Sequence, residues 1–384
     1  MDVPVVLVVF LSSMSSIPIA YQVNKLNLMK EPIAIVFVGF AALTLATILP
    51  VWYIRRKYVK VDPIMYACIT FSWSCVIDLL VGLEFDGYVT GFMTTYFKEG
   101  EPYLFTVHGA LISYWDAMAN YAMYLLMIYL FCQGKSYREV GLYWVGSLLH
   151  TMVVFLPGNL LGDYDVKWAY LLNVPYLLVP LFAGFKFLKD RPMHIKSYMH
   201  VPSILKRPKD LFFVFFFIAA ILLAIFRGMI ALGCDSDNIR SYVTSYEPYI
   251  NDPTTYPRIQ MLIYLFYFVI YYCCAIFGLL VKDQSYMTDW SIIHAGAAAQ
   301  AQFAYIFGSL HSKTASRLHP PTTGIPAVWF WVINLGLLIV PQLFVWRCKS
   351  DPDMFGRTYT IDTAEPVRDF SQYETPRSTR KKVY

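Results

Sequence analysis

Charge is what this sequence has least of. Only 15% of its 384 residues are Asp, Glu, Lys or Arg, while 57% are hydrophobic. That balance excludes an ordinary soluble domain, because so much apolar side chain has to face lipid. Asn-x-Ser/Thr acceptors are missing altogether. The first hydrophobic run lacks a basic segment and a small-residue cleavage site, so it is expected to remain as a helix rather than leave as a signal peptide. The seven cysteines, Cys68, Cys75, Cys132, Cys234, Cys273, Cys274 and Cys348, lie mostly inside apolar runs without metal-ligand spacing. They argue against a disulfide framework and a zinc site, and neither a metal nor a cofactor is expected. Cys348, at the end of the last run, is a candidate for acylation.

What the chain has instead is apolar length. Runs near 3–22, 32–54, 64–85, 107–132, 139–157, 168–188, 211–233, 258–281, 290–310 and 326–347 are each about long enough to span a bilayer. An all-α polytopic membrane protein of about ten transmembrane helices is therefore expected. Arg55, Arg56, Lys57 and Lys60 follow the second run, and Lys186, Lys189, Arg191, Lys196, Lys206, Arg207 and Lys209 follow the sixth. The net charge of +5 is thus gathered where membrane orientation needs it, and nucleic acid is not an expected partner. These loops read as cytosolic, and the Asp- and Glu-bearing segments around 84–101 and 235–252 as luminal. From Lys349 the chain turns polar, reading as a disordered cytosolic tail. Lys382 and Lys381 stand third and fourth from the C-terminus, the spacing of a dilysine retrieval signal read by a coat complex. An endoplasmic reticulum membrane address with cycling to the Golgi follows, with the lysosomal membrane as the alternative.

An internal repeat organises the chain. Tyr96-x4-Glu101-Pro102-Tyr103-Leu104 recurs as Tyr242-x4-Glu247-Pro248-Tyr249-Ile250. Asn173-x3-Leu177-Leu178-Val179-Pro180 recurs as Asn334-x3-Leu338-Ile339-Val340-Pro341. Each copy starts after a basic loop at Pro63 or Pro208 and holds four runs. Four is even, so the copies are expected to be parallel repeats. The Glu-Pro-Tyr elements fall in the luminal segments, as caps over two helices or as gates for lipid entry.

Polar residues inside apolar runs are candidate sites because they are costly there. Asp78, Asp116, His150, Asn173 and Tyr176 share one depth band and are expected to converge on one cavity, with Trp115 beside Asp116. Two carboxyl groups crowded without water cannot both ionise cheaply, so one would carry a proton. Delivered to an alkene, that proton would make a cation steadied by Tyr176 and Trp115, while the second carboxylate removes another proton. Interhelical glue and plain ligand binding account for the same residues. The second copy carries Arg227, Gln300, Gln302 and Asn334 at corresponding depths, without a carboxylate pair. Arg227 is open to three readings: pairing with a carboxylate of the first copy, binding a lipid head group, or snorkelling to the interface.

These residues resemble a known family. Gly91-Phe92-Met93, Glu99-Gly100-Glu101-Pro102-Tyr103-Leu104, Tyr114-Trp115-Asp116, Gly141-Leu142-Tyr143-Trp144-Val145-Gly146-Ser147, Pro157-Gly158-Asn159, Glu247-Pro248-Tyr249, Ile259-Gln260-Met261-Leu262 and Gln300-Ala301-Gln302-Phe303 are similar to the transmembrane 6 superfamily. That family groups with the EXPERA-domain proteins, emopamil-binding protein (a sterol isomerase) and the sigma-2 receptor. The resemblance implies two N-terminal helices (1–60), EXPERA units at 61–187 and 208–347 joined by a basic linker (188–207), and a tail from 348. It also implies lipid homeostasis in the secretory pathway and partners among lipid-metabolism proteins. Against the isomerase pattern, Asp78 stands in place of a His, Gly82 in place of a Glu and Tyr176 in place of a Trp, while Asp116 and Asn173 match. The expected function is a lipid- or sterol-binding membrane regulator. The alternatives are a double-bond isomerase using Asp78 and Asp116, and a lipid transporter or scramblase.

Overall fold

The structure is a computed structural model that describes residues 4–26, 31–195, 203–281, 284–355 and 357–359. It is an all-α polytopic membrane protein; a three-residue parallel pairing of Met193–Ile195 with Arg357–Tyr359 is the exception to helix. In chain order the helices are α1 Val5–Ser13, α2 Ser16–Lys25, α3 Pro32–Lys57, α4 Pro63–Asp86, α5 Thr94–Glu99, α6 Val107–Trp115, α7 Tyr121–Cys132, α8 Arg138–Leu161 and α9 Val174–Lys189. They continue with α10 Pro208–Ala231, α11 Asp237–Tyr246, α12 Tyr256–Ile263, α13 Val269–Leu280, α14 Met287–Leu310, α15 Gly324–Lys349 and α16 Pro352–Phe355.

Among the described residues, eight helical stretches are long and apolar enough to cross a membrane. Two expected spans are not among them: α6–α7 and α14 form helix over the expected residues but carry too many polar groups, Asp116 and Asn120 in one and His294, Gln300 and Gln302 in the other. Helix starts follow from local chemistry. Pro63 and Pro208 occupy the first turn of α4 and α10, where a missing N–H costs nothing, and the Asp62 carboxylate accepts the Ile64 N–H at 3.0 Å. α4 ends at Gly87, whose φ of +83° places it in the left-handed region that suits glycine.

A feature invisible in the sequence recurs in both halves. α6 and α7 are joined without a break by one π-helical turn, Asp116–Asn120, and α12 and α13 by another, Tyr264–Phe268. Such turns widen a helix and re-aim its side chains, and they concentrate at functional sites.

The helices form two compact units. The first holds residues 1–144 and 159–184, the second 145–158 and 185–375. The middle turns of α8 thus pack with the second unit. In the first, Trp144 donates through Nε1 to the Tyr124 hydroxyl at 2.8 Å. In the second, Phe217, Tyr272 and Phe344 form an aromatic core. Several cations of the basic segments are held rather than free: Arg347 and Arg207 both grip Asp210, Nε of Arg347 at 2.6 Å and an Nη of Arg207 at 2.7 Å, and Arg191 pairs with Asp289. Cys348 is fully buried and contacts Ser291, so the expected acylation has no accessible thiol. Lys381 and Lys382 lie outside the described residues.

Candidate functional site

In the first unit α4 brings Asp78 into electrostatic reach of Asp116, at the start of the π turn, and of Glu101. Tyr176 on α9 lies within reach of both aspartates, bonds Ser74, and stacks on Phe71 with ring centroids 4.6 Å apart. The Asn120 amide, four residues on, donates to Asp116. One oxygen of Asp78 is enclosed and has no hydrogen-bond partner among the described residues. Trp115, beside Asp116, is half-buried. Asp78, Asp116 and Tyr176 therefore gather as the sequence leads one to expect.

Glu101 is the member that sequence reasoning missed. It is buried, and its carboxylate accepts from Tyr96 at 2.7 Å, from Tyr103 at 2.6 Å and from the side-chain amide of Asn173. Asn173 thus reaches the site through Glu101. The backbone explains the inward turn: a proline follows, which excludes helix at Glu101 and leaves it at φ −129°, ψ 80°. The repeated Tyr-x4-Glu-Pro-Tyr string was the available signal, since a phenol repeated at fixed distance from a glutamate is a hydrogen-bond unit. Burial pushes the Glu101 carboxyl above its usual range, against the opposing pull of bonds from Tyr103, Tyr96 and Asn173. A raised folded-state value means that Glu101 favours the folded state most at acid pH, and that this contribution fades as pH rises through the shifted value. Glu101→Gln is expected to flatten the pH dependence of the melting temperature above the ordinary carboxylate value of 4.5; an unchanged slope would show that Glu101 does not contribute to that dependence.

The second unit is built on the same motif with different chemistry. Glu247 and Arg227 are both fully buried and form a two-pronged pair, one prong from Nε at 2.9 Å. Arg227 also donates to Oδ1 of Asn334 at 3.2 Å and lies 5.5 Å from the Tyr305 ring centroid. Two of the three readings open for Arg227 do not hold: its carboxylate partner belongs to its own unit, and with no exposed surface it does not snorkel. The side-chain amides of Gln260 and Gln302 both donate to the Tyr264 hydroxyl at 2.8 Å. The π turn that begins with Asp116 in the first unit begins with Tyr264 here, so a phenol replaces a carboxylate.

His150 corrects the expected cavity. It does not join Asp78 and Asp116; the middle of α8 belongs to the second unit, where Nδ1 of His150 lies 2.6 Å from Oε1 of Gln300 on α14. Position along the chain assigns α8 to the first copy, but packing is decided by which face finds close approach, and at Gly146 that face meets the backbone of Ile293.

Comparison with known proteins bears on what holds these clusters. A family model described as transmembrane 6 superfamily member 2-like, transmembrane domain, matches residues 15–198. The chain is 36% identical to rat transmembrane 6 superfamily member 2 over 356 residues, covering 90% of this chain and 93% of that protein. It is 37% identical to the human protein of that name, covering 89% of this chain and 92% of that one. The chain belongs to the transmembrane 6 superfamily. No solved structure matches it.

In this transmembrane 6 superfamily chain the family match covers the Asp78, Asp116 and Glu101 cluster, while the full-length relatives extend over Arg227, Glu247 and the second unit. One local feature separates the chain from the isomerase pattern. A Cβ at Gly82 would lie 2.7 Å from the Tyr114 ring, and the Tyr114 hydroxyl is fixed to Asp86 at 2.7 Å. The space where the isomerase pattern calls for a glutamate is filled by an anchored aromatic ring.

Proposed function

We propose that this transmembrane 6 superfamily member is a lipid- or sterol-binding regulator of lipid handling in the endoplasmic reticulum and connected membranes, and that the polar group of the lipid is read by Asp78, Asp116, Glu101 and Tyr176. The observation that carries the reading is the enclosed Asp78 oxygen without a donor among the described residues. A buried oxygen left unpaired is costly, so a hydroxyl brought in by an otherwise apolar ligand gains one hydrogen bond without displacing a protein contact. Phe71 stacked on Tyr176 offers an apolar wall beside it.

The isomerase reading is favoured by the mutual reach of Asp78 and Asp116 and opposed by the Tyr114 ring at Gly82. Two measurements separate the readings. A photoreactive sterol probe should label the purified full chain around α4 and α9, and Asp78→Leu should lower that labelling about tenfold, the worth of one well-made buried hydrogen bond. Equal labelling of wild type and variant defeats the proposal. Sterol profiles of cells lacking the protein should show no isomeric precursor; a precursor that wild type clears and Asp116→Asn does not would establish the enzyme instead.

A further inference from the structure

The second unit holds a cluster that the proposal above does not use. His294 on α14 is fully buried, and neither of its ring nitrogens has a hydrogen-bond partner among the described residues. His150 is buried beside it, within electrostatic reach. Its Nδ1 faces the side-chain oxygen of Gln300, which can only accept, so Nδ1 carries the hydrogen and Nε2 keeps a lone pair. That Nε2 is also without a partner. Two neighbouring imidazoles thus present one acceptor from His150 and both a donor and an acceptor from His294.

The side chains packed around them are aromatic. Phe268 lies 4.5 Å from the His294 centroid and 5.7 Å from that of His150, Tyr271 stacks on His294 at 3.7 Å, and Tyr272 meets it edge-on at 5.2 Å. Phe268 closes the π turn Tyr264–Phe268, so the local widening of that helix aims its ring at both histidines. Arg227 and Glu247 neutralise each other, so the charge felt at Tyr264 is that of a closed pair. Among the described residues no third metal-ligating group joins the two histidines. An ion, an acid and a metal are therefore poor occupants, and a group with one donor and one acceptor on an apolar body is a good one.

We propose that the second unit has a binding site of its own for a neutral lipid alcohol, with the hydroxyl donating to Nε2 of His150 and accepting from the imidazole of His294. The shared chemistry is a single alcohol on a hydrocarbon body, supplied by a sterol or by a diacylglycerol. This site stands on residues separate from those of the proposed function and survives if that reading fails.

The full chain, purified in nanodiscs, is labelled with a photoreactive sterol and, separately, with a photoreactive diacylglycerol, and the labelled peptides are mapped. Label is expected on peptides from 256–280 and 287–310 with at least one probe, and the responding probe names the source. Free alcohol should compete at least tenfold better than its methyl ether, which has no hydrogen to donate to His150 (~10-fold). His294→Phe and His150→Phe should each remove this label while leaving label around α4 within about twofold, and Asp78→Leu should do the reverse. Equal competition by alcohol and ether in the wild type, label unchanged in His294→Phe, label confined to other peptides, or no label from either probe overturns the proposal. The competition arm needs no variant, so it decides the matter even if a substituted chain does not fold.

Discussion

Replacing Arg227 by leucine is expected to destabilise the protein by about 3–5 kcal/mol, the cost of leaving a buried carboxylate without its counter-ion. Glu247 has no exposed surface, and the guanidinium that faces it supplies two parallel hydrogen bonds as well as charge. Once the cation is gone, the carboxylate must take up a proton, find water, or force α10 away from the Glu247 segment. The pair itself need not be strongly stabilising, because both ions were taken out of water to make it. The double variant Arg227→Leu with Glu247→Leu is therefore expected to recover most of the loss. Thermal unfolding of the full chain in detergent, followed by size-exclusion fluorescence, measures both. If Arg227→Leu melts with the wild type, the buried ion pair is not what holds this part of the unit.

The second large effect is expected at Gly146, on the stretch of α8 that packs in the second unit. A Cβ at this position would fall inside the van der Waals envelope of the Ile293 carbonyl, and because the clash is with backbone, no rotamer relieves it. Gly146→Leu should therefore push this stretch of α8 off α14 and cost 3 kcal/mol or more, beyond the usual ~1–3 kcal/mol range for overpacking. His150 lies one turn further along α8 and Gln300 about two turns beyond Ile293 on α14, so their 2.6 Å contact should be lost with it. Gly336→Ala is the control: its Cβ would sit 3.7 Å from Phe216, ordinary contact, and alanine favours helix by roughly 0.5–1 kcal/mol. Similar melting of Gly146→Leu and wild type would mean that the two helices do not pack at this distance.

Much of the architecture was legible because it depends on side-chain type alone. Apolar length marked the helices, and Pro63 and Pro208 marked two of their starts. The encounter of Asp78, Asp116 and Tyr176 was legible too, since equal depth on neighbouring helices leaves few other arrangements. Glu101 and Glu247 were harder to see as site residues. They stand outside the apolar runs, where an acidic residue ordinarily faces water, and only the non-helical backbone before Pro102 and Pro248 turns them inward. Nothing in the composition announces the two π turns, because a single inserted residue in a helical ladder leaves the apolar pattern almost unchanged.

By itself the sequence determined that this chain is helical, membrane-spanning and internally repeated, since hydrocarbon leaves helices or closed barrels as the only ways to pair every backbone group and a repeated motif survives divergence of its surroundings. Tertiary structure decided who meets whom. It gave Arg227 a partner in Glu247, sent His150 to Gln300, and set the Tyr114 ring over Gly82. The physical reason is that pairing and close approach depend on which faces of two helices turn toward each other, and the 3.6-residue period of a uniformly apolar helix leaves that rotation unspecified.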